Sequence, residues 1–316
     1  MKISVCIATW CRKENLKKII ELLENQTLKQ EDYEIIVCDS YSNDGTQKLM
    51  KEMCVKYHNV NYINIEKNIL ATKRNIGIDN SKGEIIIFMD DDVFPECNFL
   101  EEHLKAHKNS TNKIFCGKVE FPKEWVNNSN YYRYRDICHD NSKYNLLPFN
   151  RIVVMNMSFK KEEFKKVGYV NEKFIGYGCE DTELGYRIIQ KGIELVYLDT
   201  AKIIHYEESK SITQFRKKIY RTAKDGMRIL KEINPKILEN LNSHQKILNN
   251  KIYYNILSNC ILNKLIEKYL LWTDQFSFCF SKNLYKIYLA YYYIKGLKEQ
   301  NFDILTEEKA KKGWFI

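Results

Sequence analysis

Glu84-Ile85-Ile86-Ile87-Phe88-Met89-Asp90-Asp91-Asp92 is the stretch on which the reading of this chain turns. A run of large apolar residues without polar alternation predicts a strand covered on both faces, as parallel strands between helix layers are. Three aspartates follow directly. Alternate side chains of an extended strand point to opposite sides, so Asp90 and Asp92 would share one side. Two convergent carboxylates suit a hard cation such as Mg2+ or Mn2+, and a diphosphate would complete the coordination shell. The other reading of the triplet is a solvated acidic turn or a helix cap.

Working outward from this strand, the first half alternates apolar runs with amphipathic stretches. Residues 3–9 read as a buried strand and 14–25 as a helix, with Leu16, Ile19, Ile20 and Leu23 on one face. Residues 33–39 form a second strand, Asn43-Asp44-Gly45-Thr46 a turn, and a helix runs through Leu49, Met50 and Met53. A third strand over 61–65 and a helix over 72–80 lead into the apolar run. Such alternation predicts an α/β fold: a doubly wound, mostly parallel sheet with flanking helices and right-handed crossovers. Ligands in such sheets bind beyond the carboxyl ends of the strands, which points to Thr9, Arg12, Asp39 and the Asp90–Asp92 triplet. From about residue 210 strand signals stop, and 212–233, 237–261, 262–271 and 284–300 read as helices. The expected organisation is therefore an α/β domain over 1–210, with these candidates at its strand ends, and a helical region over 211–316.

Three further features stand downstream. Glu180-Asp181 precedes a helix over 182–191, with Leu184 and Ile188 inward and Gly192 as its C-cap. A carboxylate there is kept ionised by the free N–H groups, so the pair reads either as a simple N-cap or as a catalytic group. His205 ends an apolar run, Ile203-Ile204-His205, and a lone histidine in that position is most often structural. Asn156 lies in Val153-Val154-Met155-Asn156-Met157-Ser158-Phe159 and serves equally well as a strand-end hydrogen bonder.

Several of these pieces, in order, resemble family 2 glycosyltransferases of the GT-A fold. They are Ile3-Ser4-Val5-Cys6-Ile7-Ala8-Thr9-Trp10-Cys11-Arg12, Glu34-Ile35-Ile36-Val37-Cys38-Asp39, Ser42-Asn43-Asp44-Gly45-Thr46, Ala71-Thr72-Lys73-Arg74-Asn75-Ile76-Gly77 and the aspartate triplet. Gly176-Tyr177-Gly178-Cys179-Glu180-Asp181 is similar to the Glu-Asp segment of bacterial chondroitin-polymerase and galactosyltransferase-like domains. The resemblance covers roughly residues 1–210. It implies a UDP-sugar donor, with Thr9 and Asp39 lining the uracil pocket and Arg74, or else Lys73, near the base or diphosphate. It implies further that Asp90, with Asp91 beside it, holds the ribose, that Asp92 and His205 ligate Mn2+ or Mg2+, and that Asn156 contacts the donor sugar. Where relatives often carry Tyr-Asn-Arg after the first strand, this chain has Trp10-Cys11-Arg12, which leaves the part of Arg12 open. Asp181 would be the base that deprotonates the acceptor hydroxyl and Glu180 a holder of sugar hydroxyls, or the two in exchanged roles. A cation that absorbs the charge of the departing diphosphate makes direct, inverting displacement the expected course.

Composition narrows the alternatives. In 316 residues the formal charge is +9, but lysine is spread along the chain with no basic block interleaved with aromatics, so no nucleic-acid partner is expected. The ten cysteines include no CxxC pair and several lie in apolar strands, which fits a reducing, cytosolic setting rather than a zinc site. With a strand-like Lys2–Ile7 at the start no signal peptide is expected, and no apolar run nears the roughly 18–20 residues of a membrane span. A nucleotidyltransferase or a dehydrogenase would carry a glycine-rich loop where Ala8-Thr9-Trp10-Cys11-Arg12 stands. A non-catalytic binding module has no need of the acidic triplet and the Glu-Asp pair. The expected partners are a nucleotide sugar and a carbohydrate, glycolipid or protein acceptor. The aromatic-rich helices after 250 are read as core, acceptor groove, homo-oligomer surface or peripheral membrane contact, with 311–316 available for the last.

Overall fold

A computed structural model describes residues 1–176, 178–207 and 210–300; Tyr177, Glu208 and the 311–316 tail lie outside them. The chain groups into two compact units. The first takes Met1–Glu120, His139–Glu172 and Leu184–Tyr206; the second takes Phe121–Cys138, Lys173–Glu183 and the described residues from Glu207 on.

The first unit is built on one sheet. Its strands are β1 (Ile3–Thr9), β2 (Tyr33–Asp39), β3 (Val60–Asn64), β4 (Ile85–Asp90), β5 (Val93–Pro95), β6 (Lys113–Glu120), β7 (Asn156–Lys160) and β8 (Glu194–His205). They lie in the order β3-β2-β1-β4-β7-β6-β8-β5. β1 and β2 are buried along their whole length, because helices cover both faces and every side chain must then be apolar or paired. Their polar members are paired: the Ser4 hydroxyl donates to Glu34 at 2.7 Å and the Thr9 hydroxyl to Asp91 at 2.8 Å. Helix Lys13–Glu24 buries the four predicted residues Leu16, Ile19, Ile20 and Leu23. Fully burying such a side chain is worth about 1.5–3 kcal/mol.

The sheet is α/β as expected, but mixed. β3-β2-β1-β4 pair in parallel, and β6 with β8; β7 runs antiparallel between β4 and β6, and β5 runs antiparallel to β8. Phe159 of β7 closes the core around β4, stacked on Phe164 at 3.9 Å and edge-on to Phe88 at 5.0 Å.

The second unit is helical. Tyr131, Tyr132 and Tyr134 of helix Asn130–His139 share a core with Ile266, Leu270, Tyr285, Tyr288 and Leu289. Glu207 is buried there among Arg135 at 3.3 Å, Lys218 at 3.1 Å and the Tyr131 hydroxyl. The single helix expected over 237–261 is broken into Pro235–Glu239, Asn242–Asn249 and Lys251–Leu257, with a new helix from Cys260. Asparagines account for two of the breaks: Asn250 accepts the Tyr253 N–H and Asn259 the Ile261 and Leu262 N–H groups, so each begins a helix rather than continues one, and Asn234 caps the first segment in the same way. Among the described residues no helix is long and apolar enough to cross a membrane.

Candidate active site

Parallel pairing gathers the polar strand ends. Thr9 stands opposite Asp39, and Ala8 opposite Asp90. Strands about 4.8 Å apart therefore bring residues far apart in the chain to one edge.

Asp39 is fully buried at the end of β2. It accepts from the Ser42 hydroxyl at 2.5 Å, the Ser42 N–H at 3.1 Å and the Tyr62 hydroxyl at 2.7 Å. A carboxylate offers about four acceptor positions, and donors among the described residues take three of them. Burial first, then Asp39 itself, push the Tyr62 phenol well above its ordinary range, so it stays a donor.

β4 stops at Asp90, and Asp91-Asp92 form a turn before β5. Strand alternation therefore reaches only Asp90, and each aspartate has its own surroundings. Asp90 pairs with the buried guanidinium of Arg74 at 2.8 Å. Asp91 accepts from the Thr9 hydroxyl at 2.8 Å and from the Trp10 N–H at 3.4 Å. Burial raises the Asp91 carboxyl, Arg12 opposes that shift, and Asp92 adds to it. Asp92 faces His205, with Oδ1 to Nε2 at 3.5 Å, and the Arg12 guanidinium at 3.7 Å.

His205 reaches Asp92 through the antiparallel β5–β8 ladder, which sets it opposite Val93, while the Tyr206 N–H donates to the Asp92 carbonyl at 2.9 Å. Two adjacent ligands of an octahedral ion at about 2.1 Å lie roughly 3 Å apart, so this carboxylate–imidazole pair fits a divalent cation. Among the described residues no third His, Cys, Asp or Glu joins them, so further ligands would come from substrate oxygens and water.

Lys73 lies closer to this edge than its sequence context implies. It is buried, donating to the Thr9 carbonyl at 2.8 Å and to Asn68 Oδ1 at 2.7 Å. Burial pulls its pKa down to about 8 against the attraction of Asp91 and Asp39.

Asn156 belongs to a different setting. It is fully buried, its Oδ1 meets His103 Nε2 at 2.9 Å, and its amide donates to the carbonyls of Lys118 and Ala201. Those contacts describe the strand-end hydrogen bonder.

Glu180 and Asp181 are the first residues of helix Glu180–Gln190, which starts two positions earlier than the pattern suggests. Gly178 and Cys179 precede them at φ 95° and 76°, a left-handed pair that turns the chain into the helix. Leu184 and Ile188 are buried, and Gly192 ends the helix at φ 71°. Of the groups around Asp39, the sequence pattern singles out neither Ser42 nor Tyr62. Ser42 opens the Ser42–Thr46 motif and could have been found there, whereas Tyr62 sits on the edge strand β3, where nothing local marks it.

Residues 4–168 match the family model for glycosyl transferase family 2, and residues 136–211 match the N-terminal domain of galactosyltransferase. The uncharacterized glycosyltransferase YfnE of Bacillus subtilis is 25% identical over 272 residues, 69% of each chain. The chain spans roughly half or less of several other curated relatives it matches. Among solved structures, Staphylococcus aureus TarS 1–349 in complex with UDP aligns with TM-score 0.53 at 14% identity, covering 97% of this chain and 95% of that one. The mannosyltransferase PcManGT of Pyrobaculum calidifontis, in complex with GDP-Man and Mn2+, aligns with TM-score 0.59 at 15% identity, covering 95% and 88%. These likenesses share the fold, and the family match takes in more than half of the residues. The chain belongs to glycosyl transferase family 2 and is a glycosyltransferase.

Proposed function

We propose that this glycosyltransferase moves a sugar from a UDP-sugar to a hydroxyl of a carbohydrate, glycolipid or protein acceptor, with a divalent cation and inversion at the anomeric carbon. The observation that carries this reading is Asp92 beside His205 at 3.5 Å, with Arg12 on the same carboxylate, at the strand-end edge of the sheet. The UDP in the TarS structure and the GDP-Man and Mn2+ in that of PcManGT support a nucleoside diphosphate sugar and a cation.

In this reading Asp39 offers its remaining acceptor position to the uracil N–H, and Thr9 lines the same pocket. Asp90, oriented by Arg74, takes the ribose hydroxyls, with Asp91 behind it. Arg12 faces the diphosphate. A cation held by Asp92 and His205 supplies neutralisation of the charge that builds on the departing diphosphate. Asp181 takes the proton of the acceptor hydroxyl as its oxygen bonds to the anomeric carbon. The bond from that carbon to the diphosphate oxygen breaks, and its electron pair leaves with UDP. Glu180 holds sugar hydroxyls; Glu180→Gln and Asp181→Asn separate the two roles.

Calorimetry with UDP and Mn2+ should give binding that EDTA weakens at least tenfold, leaving a weaker metal-free affinity. UDP release from a panel of UDP-Glc, UDP-Gal, UDP-GlcNAc and UDP-GalNAc should identify one preferred donor. With that donor, Asp181→Asn should lower turnover about 10²–10⁴-fold and leave UDP affinity intact. Undiminished turnover in that variant removes Asp181 as the base, and tighter binding of GDP than of UDP removes the uracil assignment.

A further inference from the structure

Helix Cys260–Trp272 turns Asn263, Ile266 and Leu270 into the core of the second unit. On its other side Ile261, Leu265 and Trp272 are 69%, 61% and 73% exposed. At 100° per residue these three fall within about 40° of one another, so they form a single apolar ridge. The chain leaving the helix extends it: the rings of Trp272 and Phe276 lie 6.3 Å apart, those of Phe276 and Phe278 5.9 Å, and Phe278 is 86% exposed. Lys264 and Lys268 are exposed along one flank. The acids of this segment are already engaged, Glu267 with Arg216 at 2.5 Å and Asp274 with the Ser129 hydroxyl and the Tyr131 N–H.

We propose that this ridge docks on an anionic lipid bilayer, with Trp272, Phe276 and Phe278 entering the headgroup boundary and Lys264 and Lys268 meeting lipid phosphates. Charge complementarity selects this occupant. Aromatic and aliphatic side chains flanked by lysine are the pattern of an interfacial surface. A bilayer with anionic headgroups answers the lysines and the overall charge of +9. A second copy of the chain seated on the same ridge about a two-fold axis would set Lys264 and Lys268 near their own counterparts, with the acids of the segment engaged elsewhere. Docking of this kind is independent of the donor sugar and of the base.

The test is co-sedimentation of the full chain with phosphatidylcholine vesicles, with and without phosphatidylglycerol. Binding should appear with phosphatidylglycerol, weaken as NaCl is raised, and be slight on phosphatidylcholine alone. Trp272→Ser with Phe278→Ser should weaken it at least tenfold, and Lys264→Glu with Lys268→Glu by a similar factor. All four side chains are exposed, so both double variants should melt with the wild-type chain. Absence of binding to phosphatidylglycerol vesicles overturns the proposal, as does binding that the variants leave unchanged. A chain that is dimeric by sedimentation equilibrium, and that the same variants make monomeric without vesicles, assigns the ridge to self-association instead.

Discussion

Alanine in place of Gly226 sets a methyl group 2.5 Å from the Gly178 carbonyl oxygen and 2.9 Å from the Cys179 sulfur. An ordinary contact begins near 3.4 Å, so the oxygen would have to retreat by about 1 Å. Gly226 closes a π-helical turn, Thr222–Gly226, that also packs on helix Lys282–Lys298, so the turn is held as well. The Gly178 oxygen is backbone, in a segment already committed to left-handed conformation, and Glu180 and Asp181 are the next residues along the chain. Overpacking of this kind costs about 1–3 kcal/mol. That lowers the melting temperature by a few degrees per kcal/mol in a chain of this size. A displacement of about 1 Å at a reacting group costs roughly 10²-fold in rate. Gly226→Ala should therefore melt earlier, keep its UDP affinity within about twofold, and lose on the order of 10²-fold in kcat. Calorimetry for UDP, a thermal melt and a UDP-release assay at saturating donor provide the measurements. Wild-type kcat in a variant that has lost the predicted stability would refute the link from the π turn to the Glu-Asp pair. Equal losses of kcat and UDP affinity would refute it as well.

His205→Ala should reduce Mn2+-dependent UDP binding at least tenfold while metal-free UDP binding changes little; equal loss in both, read by calorimetry with and without EDTA, would deny His205 the ligand role. Stability should fall on acidification, because burial lowers the pKa of His103 from 6.5 to about 4 and of His107 to about 3, so below pH 6.5 the unfolded chain takes up protons that the folded chain refuses. The stability present above that pH is lost between 6.5 and about 4 for His103 and between 6.5 and about 3 for His107, at up to about 1.4 kcal/mol per pH unit for each histidine, and urea midpoints for wild type and His107→Asn should show a shallower slope in the variant. Asn259→Ala, which removes the acceptor for the Ile261 and Leu262 N–H groups, should cost about 1 kcal/mol in urea unfolding, and an unchanged midpoint would discount the cap.

Local pattern carries the framework of the first unit. The Ile85–Met89 run, the four apolar positions of helix Lys13–Glu24 and the polar strand ends follow from side-chain periodicity, which any covered strand or amphipathic helix must show. That is why Thr9, Asp39 and Asp90–Asp92 stand out as site candidates from the residues alone, with Arg74 added by the family resemblance. Parallel strands of matched register then necessarily bring several of them to one edge. The same pattern is silent on β7, whose antiparallel insertion depends on which exposed ladder edge is available. It is equally silent on Tyr62, which marks itself only by what lies across from it.

Read alone, the chain of residues determined the strand–helix alternation, the acidic triplet after a covered strand, and the order of motifs that resembles the glycosyltransferase family. Only tertiary structure decided that β5 pairs with β8, setting His205 beside Asp92, and that Tyr131, Tyr132 and Tyr134 join a core with Tyr285 and Tyr288. It also decided which C-terminal aromatics are buried and which, like Trp272 and Phe278, face outward. The physical reason is that periodicity records how much of each surface is apolar, while the partner of that surface is set by contacts between residues far apart along the chain.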